Sequence, residues 1–277
     1  MSATFLEEMA AASLARVRAA RQLVSEAALA ERARRCPRPP PLHLAAGGFD
    51  VIAEFKLRSP AAGSLGAAAA SIPERVTAYA RAGAAAVSVL TEPDRFDGSL
   101  EHLLEAQAAL APLGVPVMRK DFLVDPYQVL EARLAGAGGV LVILRLLSRA
   151  ATGALIDCAR SCGLFVLLEA FDTGDLELMH ELVAGYAAGN TLLAGVNCRD
   201  LATLDVVPQR LIELAPLLPP GVPHVAESGV ATDVDARRVA AAGYGLALVG
   251  SALMRAGEPM ALLRSLLAAG RGARGVR

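Results

Sequence analysis

The feature that most restricts the possible fold is a repeat of short apolar segments separated by Ala-rich amphipathic stretches. Eight segments rich in β-branched residues or leucine predict strands at 51–55, 86–90, 115–118, 139–144, 164–168, 192–196, 223–226 and 246–249. Between them, a helical pattern occurs at 72–82, 99–111, 126–135, 149–161, 173–187, 208–215 and 232–241. Strands that are apolar throughout are typical of parallel sheets covered by helices. Eight consecutive strand–helix units predict an α/β fold, a closed (β/α)8 barrel (TIM barrel) rather than an open sheet.

A helical segment precedes the barrel. Residues 4–34 place apolar side chains at helical spacing among Glu and Arg, which predicts one helix. The proline-rich sequence at 36–42 cannot continue it, because proline lacks the amide hydrogen and clashes with the preceding turn. We expect a single domain with the helix and connector over 1–48, the barrel over 49–270 and a frayed tail over 271–277.

Composition argues against several classes of protein. The chain is 54% hydrophobic, but no apolar run reaches the roughly 18 residues of a membrane span, and no signal peptide precedes it. We therefore expect a cytoplasmic protein with no membrane partner. The net charge is −1, and the aromatic content is 4% without tryptophan, so we expect no nucleic-acid partner. The four cysteines form no CxxC pair, which indicates reduced thiols rather than a metal site.

Charged and amide side chains occur at nearly every strand end. They are Glu54, Lys56, Arg119, Lys120, Arg145, Glu169, Asn197 and Glu227. In a barrel of this type, active-site residues lie at the carboxyl ends of the strands and in the loops that follow. An inward-facing charge is costly unless it is paired or functional. These residues therefore predict either an active site at the barrel mouth or structural ion pairs around its rim.

The last two strands carry a second signal. Ser228-Gly229 follows the seventh strand, and Gly250-Ser251 follows the eighth and opens a short helix at 251–255. Glycine lets backbone amides approach an anion, and a helix N-terminus supplies free N–H groups. Barrels commonly bind phosphate after these two strands. The sequence therefore predicts a small phosphorylated metabolite as the partner.

The motifs resemble those of the indole-3-glycerol phosphate synthase family of tryptophan biosynthesis. The matching runs are VIAEFKLRSPAAG (51–63), VSVLTEPDRFDGSLEHL (87–103), VMRKDF (117–122), DPYQVLEAR (125–133), GVNCRDL (195–201), VAESGV (225–230) and LVGSALMR (248–255). They cover nearly the whole barrel in order, and the leading helix and connector also match. The resemblance implies a carboxy-lyase acting on 1-(2-carboxyphenylamino)-1-deoxyribulose 5-phosphate. It closes a pyrrole ring and releases carbon dioxide and water, without cofactor or metal. The fold allows a monomer or a weak homodimer, and the sequence favours neither.

The resemblance also implies a role for each matching residue. Lys120 would be the general acid that protonates the carbonyl oxygen, and Glu169 the general base for the later proton removal. Lys56 would contact the anionic groups or share the acid role, and Glu54 would pair with the lysines. The remaining assignments are Asn197 and Glu227 for the ribulose hydroxyls, Ser59, Ser228, Gly229, Gly250 and Ser251 for the phosphate, Phe96, Phe122 and Leu201 for the anthranilate ring, and Arg199 for bracing the loop after the sixth strand.

Two opposing influences act on the pKa of Lys120. Neighbouring carboxylates keep a lysine protonated, whereas Lys56 and burial lower its pKa. The sequence does not decide which influence is larger.

The chain departs from the family pattern near Glu169. The family usually has an aliphatic residue and then histidine after this glutamate, whereas this chain has Ala170 and Phe171. Cys198 stands where asparagine or serine is common, and we interpret it as a neutral small residue. Because of Phe171, a further hypothesis stays open: the chain is a paralogue with the same chemistry whose substrate carries a modified anthranilate.

Two further functions remain as alternatives. One is another phosphate-binding barrel, such as a phosphoribosylanthranilate or ribulose-phosphate isomerase, but those chains lack the leading helix and this arrangement of two lysines. The other is a catalytically inactive phosphate-binding paralogue. Such a chain is expected to have lost Lys120, Glu169 or Glu54, and all three are present.

Overall fold

A computed structural model describes residues 4–60, 63–64, 71–186, 192–201 and 203–274. Eight parallel strands close into a barrel, each beside the next in the chain and the last beside the first. They are β1 (Asp50–Phe55), β2 (Ala86–Leu90), β3 (Val117–Lys120), β4 (Gly139–Ile143), β5 (Phe165–Ala170), β6 (Leu192–Asn197), β7 (His224–Glu227) and β8 (Leu246–Val249). The predicted (β/α)8 barrel is confirmed, with strand bounds that move by one to two residues at most positions.

Helices surround the barrel and precede it. Those in the described residues are α1 (Phe5–Leu23), α2 (Glu26–Arg35), α3 (Ile72–Arg81), α4 (Pro93–Phe96), α5 (Leu100–Leu110), α6 (Pro126–Leu134), α7 (Arg149–Ser161), α8 (Thr173–Gly185), α9 (Gln209–Leu214), α10 (Asp233–Ala242), α11 (Ser251–Arg255) and α12 (Pro259–Arg274). Each predicted inter-strand helix is present, and the predicted end at residue 187 lies outside the described residues. A two-stranded hairpin pairs Arg58–Ser59 with Gly63–Ser64 in the loop after β1. No helix in the described ranges is long and apolar enough to cross a membrane.

The prediction of one helix over 4–34 is wrong, because two helices meet at Val24 and Ser25. Both residues have extended backbones, and the Ser25 hydroxyl accepts a hydrogen bond from the Ala28 amide as the N-cap of α2. The Tyr127 hydroxyl lies 3.1 Å from the carbonyl of Ala20 and 3.0 Å from that of Val24. The Ala20 carbonyl also accepts the Val24 amide at 3.0 Å, so Tyr127 adds a second hydrogen bond there and bonds the Val24 carbonyl at the end of α1.

Buried polar contacts fix α1 to the loop that follows β3. The Ser13 hydroxyl donates to the Phe122 carbonyl at 2.5 Å and accepts from the Gln128 amide at 2.8 Å. The Arg16 guanidinium donates to Asp121 at 3.0 Å. The N-terminal helix is therefore joined to the segment directly after the third strand, at the mouth of the barrel.

The C-terminal boundary also differs from the prediction. Helix α12 continues through Arg274, so residues 271–274 belong to a helix rather than to a frayed tail, and residues 275–277 lie outside the described part. Arg271 donates to the Phe49 carbonyl at 3.0 Å and to Asp50 at 2.9 Å. These bonds attach the last helix to the start of β1. They explain why the helix continues through a glycine-containing segment that was predicted to fray.

Apolar packing in the barrel forms two layers, and a third cluster joins α1 and α2 to α6. One lies between the strands and the outer helices, and the other fills the barrel interior with side chains such as Ile52, Met118, Leu141 and Leu167. The inner layer closes the barrel from below. A ligand can therefore enter only above it, at the carboxyl ends of the strands.

Candidate active site

A cavity of about 500 Å³ lies at the carboxyl ends of the strands. Every predicted site residue lines it: Glu54, Lys56, Ser59, Phe96, Lys120, Phe122, Glu169, Asn197, Arg199, Leu201, Glu227, Ser228, Gly229, Gly250 and Ser251. They come from the ends of seven different strands or the loops after them. The barrel closure therefore brings together residues that are up to 197 positions apart in the sequence.

Glu54 and Lys56 form the pair on β1. The Lys56 ammonium lies 2.5 Å from Glu54 Oε1, and the Glu54 side chain is buried. Burial raises the pKa of Glu54, but the charges of Lys56 and Lys120 and the hydrogen bond from Lys56 outweigh it and hold the pKa below its ordinary value. Glu54 is therefore an anion placed between the two lysines.

Gly250 leaves the space that this ion pair occupies. A Cβ at this position would overlap Glu54 Oε1 and lie 3.0 Å from Lys56 Nζ. We expect Gly250→Ala to displace the pair and to lower kcat/KM by about 100-fold, since a shift near 1 Å at a reactive centre has that effect. Gly257→Ala is the matched control, because a Cβ there meets no atom within 4 Å. Equal activity of both variants in steady-state kinetics would contradict a role for this spacing.

Lys120 ends β3 and faces Glu169, which lies on β5. Lys120 Nζ is 3.6 Å from Glu169 Oε1, and the Asn197 amide donates to the same oxygen at 2.7 Å. The Asn197 carbonyl oxygen accepts the Arg199 backbone amide at 2.9 Å, which orients the Asn197 side chain. A protonated amine and a carboxylate held by an amide thus converge on one point in the cavity.

The structure resolves the competition over the pKa of Lys120. Burial lowers this pKa, but the negative charges of Glu169 and Glu54, and that of Glu227 once it ionises at alkaline pH, raise it more, to about 12. Lys120 therefore carries its proton throughout the neutral range. Of the 27 basic residues in the chain, only Lys56 and Lys120 are lysines, and both line this cavity.

Glu227 is the one carboxyl in the cavity whose charge is disfavoured. It is 1% exposed, and neither carboxylate oxygen has a hydrogen-bond partner among the described residues. Burial and the negative charge of Glu169 raise its pKa well above the ordinary 4.5. A Cβ at Gly195 would overlap Glu227 Oε1, so glycine at that position makes room for this carboxyl.

The raised pKa of Glu227 predicts a pH-dependent loss of stability. Above pH 4.5 the unfolded chain ionises at Glu227 while the folded chain keeps its proton. The stability from this group is therefore present below 4.5 and is lost as the pH rises through the folded pKa. We expect Glu227→Gln to gain unfolding free energy relative to the wild type as the pH rises from about 5 into the neutral range, measured by urea titration. A constant difference across that range would show that Glu227 ionises normally.

The predicted phosphate residues lie together on the β7, β8 and β1 side of the cavity. Ser228 and Gly229 both have positive φ, 67° and 71°. This region is costly for serine, and such strain is concentrated at ligand sites. Gly250 precedes α11, whose first residue is Ser251, and Ser59 lies in the hairpin after β1. Backbone amides and hydroxyls are therefore grouped on the side where a barrel binds phosphate.

Aromatic side chains form the other side of the cavity. The Phe96 and Phe122 ring centroids are 6.2 Å apart, and Phe5 meets Phe122 edge-on at 5.8 Å. Phe5, Leu6 and Phe171 line the cavity and were not among the predicted site residues. The helical pattern of 4–34 gives no sign that its first turn reaches the barrel mouth. The sequence did contain a signal for Phe171. It lies two residues after Glu169, and side chains two residues apart in extended backbone point to the same face.

Some strand-end charges form ion pairs outside the cavity. Arg119 is 4% exposed and donates to Thr91, to Asp121 and to the Gln128 carbonyl. Arg145 contacts Asp172 and Asp175. The rim explanation therefore holds for these two arginines, whereas the glutamates and lysines described above belong to the cavity.

The loop after β6 contains Arg199 and Cys198. The Arg199 guanidinium donates to the Leu204 carbonyl at 2.5 Å, and its own carbonyl accepts from Arg210 at 3.1 Å. Burial raises the pKa of the Cys198 thiol to about 11. This thiol stays protonated at neutral pH, so it is a packing group rather than a nucleophile.

Comparisons with known proteins identify the family. The profile of the family described as indole-3-glycerol phosphate synthase matches residues 6–266. A protein of that name from Micrococcus luteus is 43% identical over 90% of this chain and 91% of its own length. Another from Mycolicibacterium gilvum is 40% identical over 97% and 96%. The fold resembles that of 3-hexulose-6-phosphate synthase from Salmonella typhimurium, with a TM-score of 0.59 at 14% identity over 81% of this chain and 100% of that one. On this evidence the chain belongs to the indole-3-glycerol phosphate synthase family.

Proposed function

We propose that the chain converts 1-(2-carboxyphenylamino)-1-deoxyribulose 5-phosphate into indole-3-glycerol phosphate, carbon dioxide and water. The observation that carries this proposal is the convergence of Lys120 and Glu169 between an aromatic wall and a phosphate-type loop pair. The substrate has an aromatic carboxylate at one end, a phosphate at the other and a carbonyl between them. Its reacting carbon would lie where the acid and the base meet.

The first step needs an acid. The aromatic carbon that bears the carboxylate attacks the substrate carbonyl, and the carbonyl oxygen becomes an alkoxide as the new carbon–carbon bond forms. Lys120 transfers its proton to this oxygen to give a hydroxyl, which prevents the alkoxide from expelling the ring again. The carboxylate then leaves as carbon dioxide, and its bonding electrons return to the ring.

The second step needs a base. The new hydroxyl leaves as water, and a proton must be removed to restore the aromatic pyrrole. Glu169 accepts that proton, held toward the cavity by the amide of Asn197. Lys56 is placed to protonate the leaving hydroxyl, because its ion pair with Glu54 holds it beside Gly250 in the cavity.

We assign the remaining roles as the family resemblance implies them, and the location of these residues in one cavity supports the assignment. Ser59, Ser228, Gly229, Gly250 and Ser251 hold the phosphate, Phe96, Phe122 and Leu201 contact the anthranilate ring, and Asn197 and Glu227 contact the ribulose hydroxyls. Arg199 braces the loop after β6. A single domain, a monomeric or weakly dimeric state, a cytoplasmic location and the absence of a nucleic-acid partner stay predictions.

The test is a fluorescence assay of the purified protein with the proposed substrate and EDTA. We expect the fluorescence of the indole product to appear at a rate that EDTA does not change, because the proposed acid and base are side chains. Tight substrate binding without turnover would favour the inactive paralogue. Neither turnover nor binding would refute the proposed activity.

A further inference from the structure

Phe171 occupies the interior position directly above the proposed base. Side chains alternate along β5, so Phe165, Leu167, Glu169 and Phe171 share the inner face of the barrel. Phe171 is 4% exposed and lines the active-site cavity. A substrate ring that reaches Glu169 must therefore pass close to the Phe171 ring.

Charged neighbours fix Phe171 from outside the cavity. The Arg145 guanidinium lies over the ring, 4.6 Å from its centroid. Asp175 Oδ2 accepts the Phe171 backbone amide at 2.8 Å and also accepts Arg145 Nε at 2.9 Å. Arg145 further donates to Asp172 at 2.6 Å. We call this unit of Phe171, Arg145, Asp172 and Asp175 the Phe171 wall.

The Phe171 wall separates the active-site cavity from a neighbouring groove. The groove has a volume of about 850 Å³ and runs between the first turn of α1 and the loops after β4, β5 and β6. Five residues line both spaces: Phe5, Leu6, Phe171, Arg199 and Leu201. Of these five, Phe171 is the residue that directly follows β5, the strand that carries Glu169. A shorter side chain at 171 would connect the cavity with the groove.

We propose that Phe171 is a specificity-determining residue that limits the size of groups on the substrate's aromatic ring, and that Arg145 is the positioning residue that holds it. The inference rests on the proposed function. The ring site is bounded by Phe96 and Phe122 on one side, and the Phe171 wall sets its extent toward β5. We expect a methyl group on a ring carbon that faces this wall to require movement of Phe171, which the contacts of Phe171 with Arg145 and Asp175 resist.

The test compares kcat/KM for the unsubstituted substrate and for substrates methylated at each free position of the aromatic ring. We expect the wild type to discriminate by about 10-fold or more against the methyl group that faces the wall, the size of effect that one misplaced methylene produces. Phe171→Ala should reduce that discrimination by about 10-fold and leave the other ring positions unchanged. Phe171→Leu should reduce the discrimination by a smaller factor. This variant replaces Phe171→Ala in the test if the alanine variant does not fold.

Arg145 is tested by a matched pair of variants. Arg145→Lys keeps the charge near Asp172 and Asp175 but loses the flat stack on the ring. It should therefore relax discrimination at the same ring position as Phe171→Ala. Arg149→Lys is the control, because Arg149 pairs with Glu181 at 3.1 Å on an exposed part of the same region. It should leave every ratio as in the wild type.

The outcomes separate this inference from the proposed function. Absence of turnover of the unsubstituted substrate by the wild type would refute the function. Turnover with equal rates for all methylated substrates, or a change in Phe171→Ala that is the same at every ring position, would overturn the specificity role while leaving the function intact.

Discussion

Lys120→Ala lowers kcat for indole formation by about 10²–10⁴, the range expected for loss of a general acid. Lys120 is the protonated group that faces the carboxylate cluster in the cavity, with a pKa of about 12. An alkoxide is a stronger base than a lysine amine, so transfer of this proton to the developing oxygen is favourable. The measurement is single-turnover fluorescence at saturating substrate, which separates chemistry from product release.

A second variant, Lys120→Arg, separates the positive charge of Lys120 from its ability to transfer a proton. Arginine keeps the positive charge opposite Glu169 but does not release its proton at neutral pH. We expect Lys120→Arg to bind substrate and to remain as slow as the alanine variant. Wild-type rates in Lys120→Arg would mean that Lys120 contributes only its charge, and the acid role would then pass to Lys56.

Glu169→Gln gives a second loss of about 10²–10⁴ in kcat, because the glutamine amide cannot accept a proton. The substitution also removes the largest of the charges that raise the pKa of Lys120. The pKa of Lys120 should therefore fall in this variant. The alkaline limb of its pH–rate profile should then lie at a lower pH than in the wild type. The pH profile of the residual rate checks this second expectation.

The double variant tests whether the two residues act together. If acid and base serve one reaction sequence, Lys120→Ala with Glu169→Gln should be little slower than the slower single variant. Losses that multiply would indicate two independent contributions. Asn197→Ala should have a smaller effect than Glu169→Gln, since it removes only the amide that orients the carboxylate.

Much of the fold and the site followed from local pattern. Strand and helix periods specify the barrel, and the rule that active sites lie at strand ends brought Glu54, Lys120, Glu169 and Glu227 into one candidate cavity. Ala-rich helices and apolar strands leave few competing folds for such a chain. These predictions depend only on the order of elements, which the sequence displays directly.

Other features depend on contacts between distant segments. The break between α1 and α2 has a local signal in the N-cap residue Ser25, but the Tyr127 hydroxyl that meets the carbonyls of Ala20 and Val24 comes from more than 100 positions away. The first turn of α1 reaches the cavity only because Ser13 and Arg16 are bonded to the loop after β3. No local pattern encodes such contacts. The pKa of Lys120 is similar, since it depends on three carboxylates from three strands.

The placement of lysine has a practical consequence for labelling chemistry. Because Lys56 and Lys120 are the only side-chain amines and both lie inside the cavity, an amine-reactive dye, crosslinker or resin has no harmless side chain to attack. Coupling at either lysine would fill the cavity, and a bound substrate would shield both. The extent of lysine modification, read by mass spectrometry, would thus report directly on occupancy of the site, while attachment to a surface is better directed to groups other than the lysines.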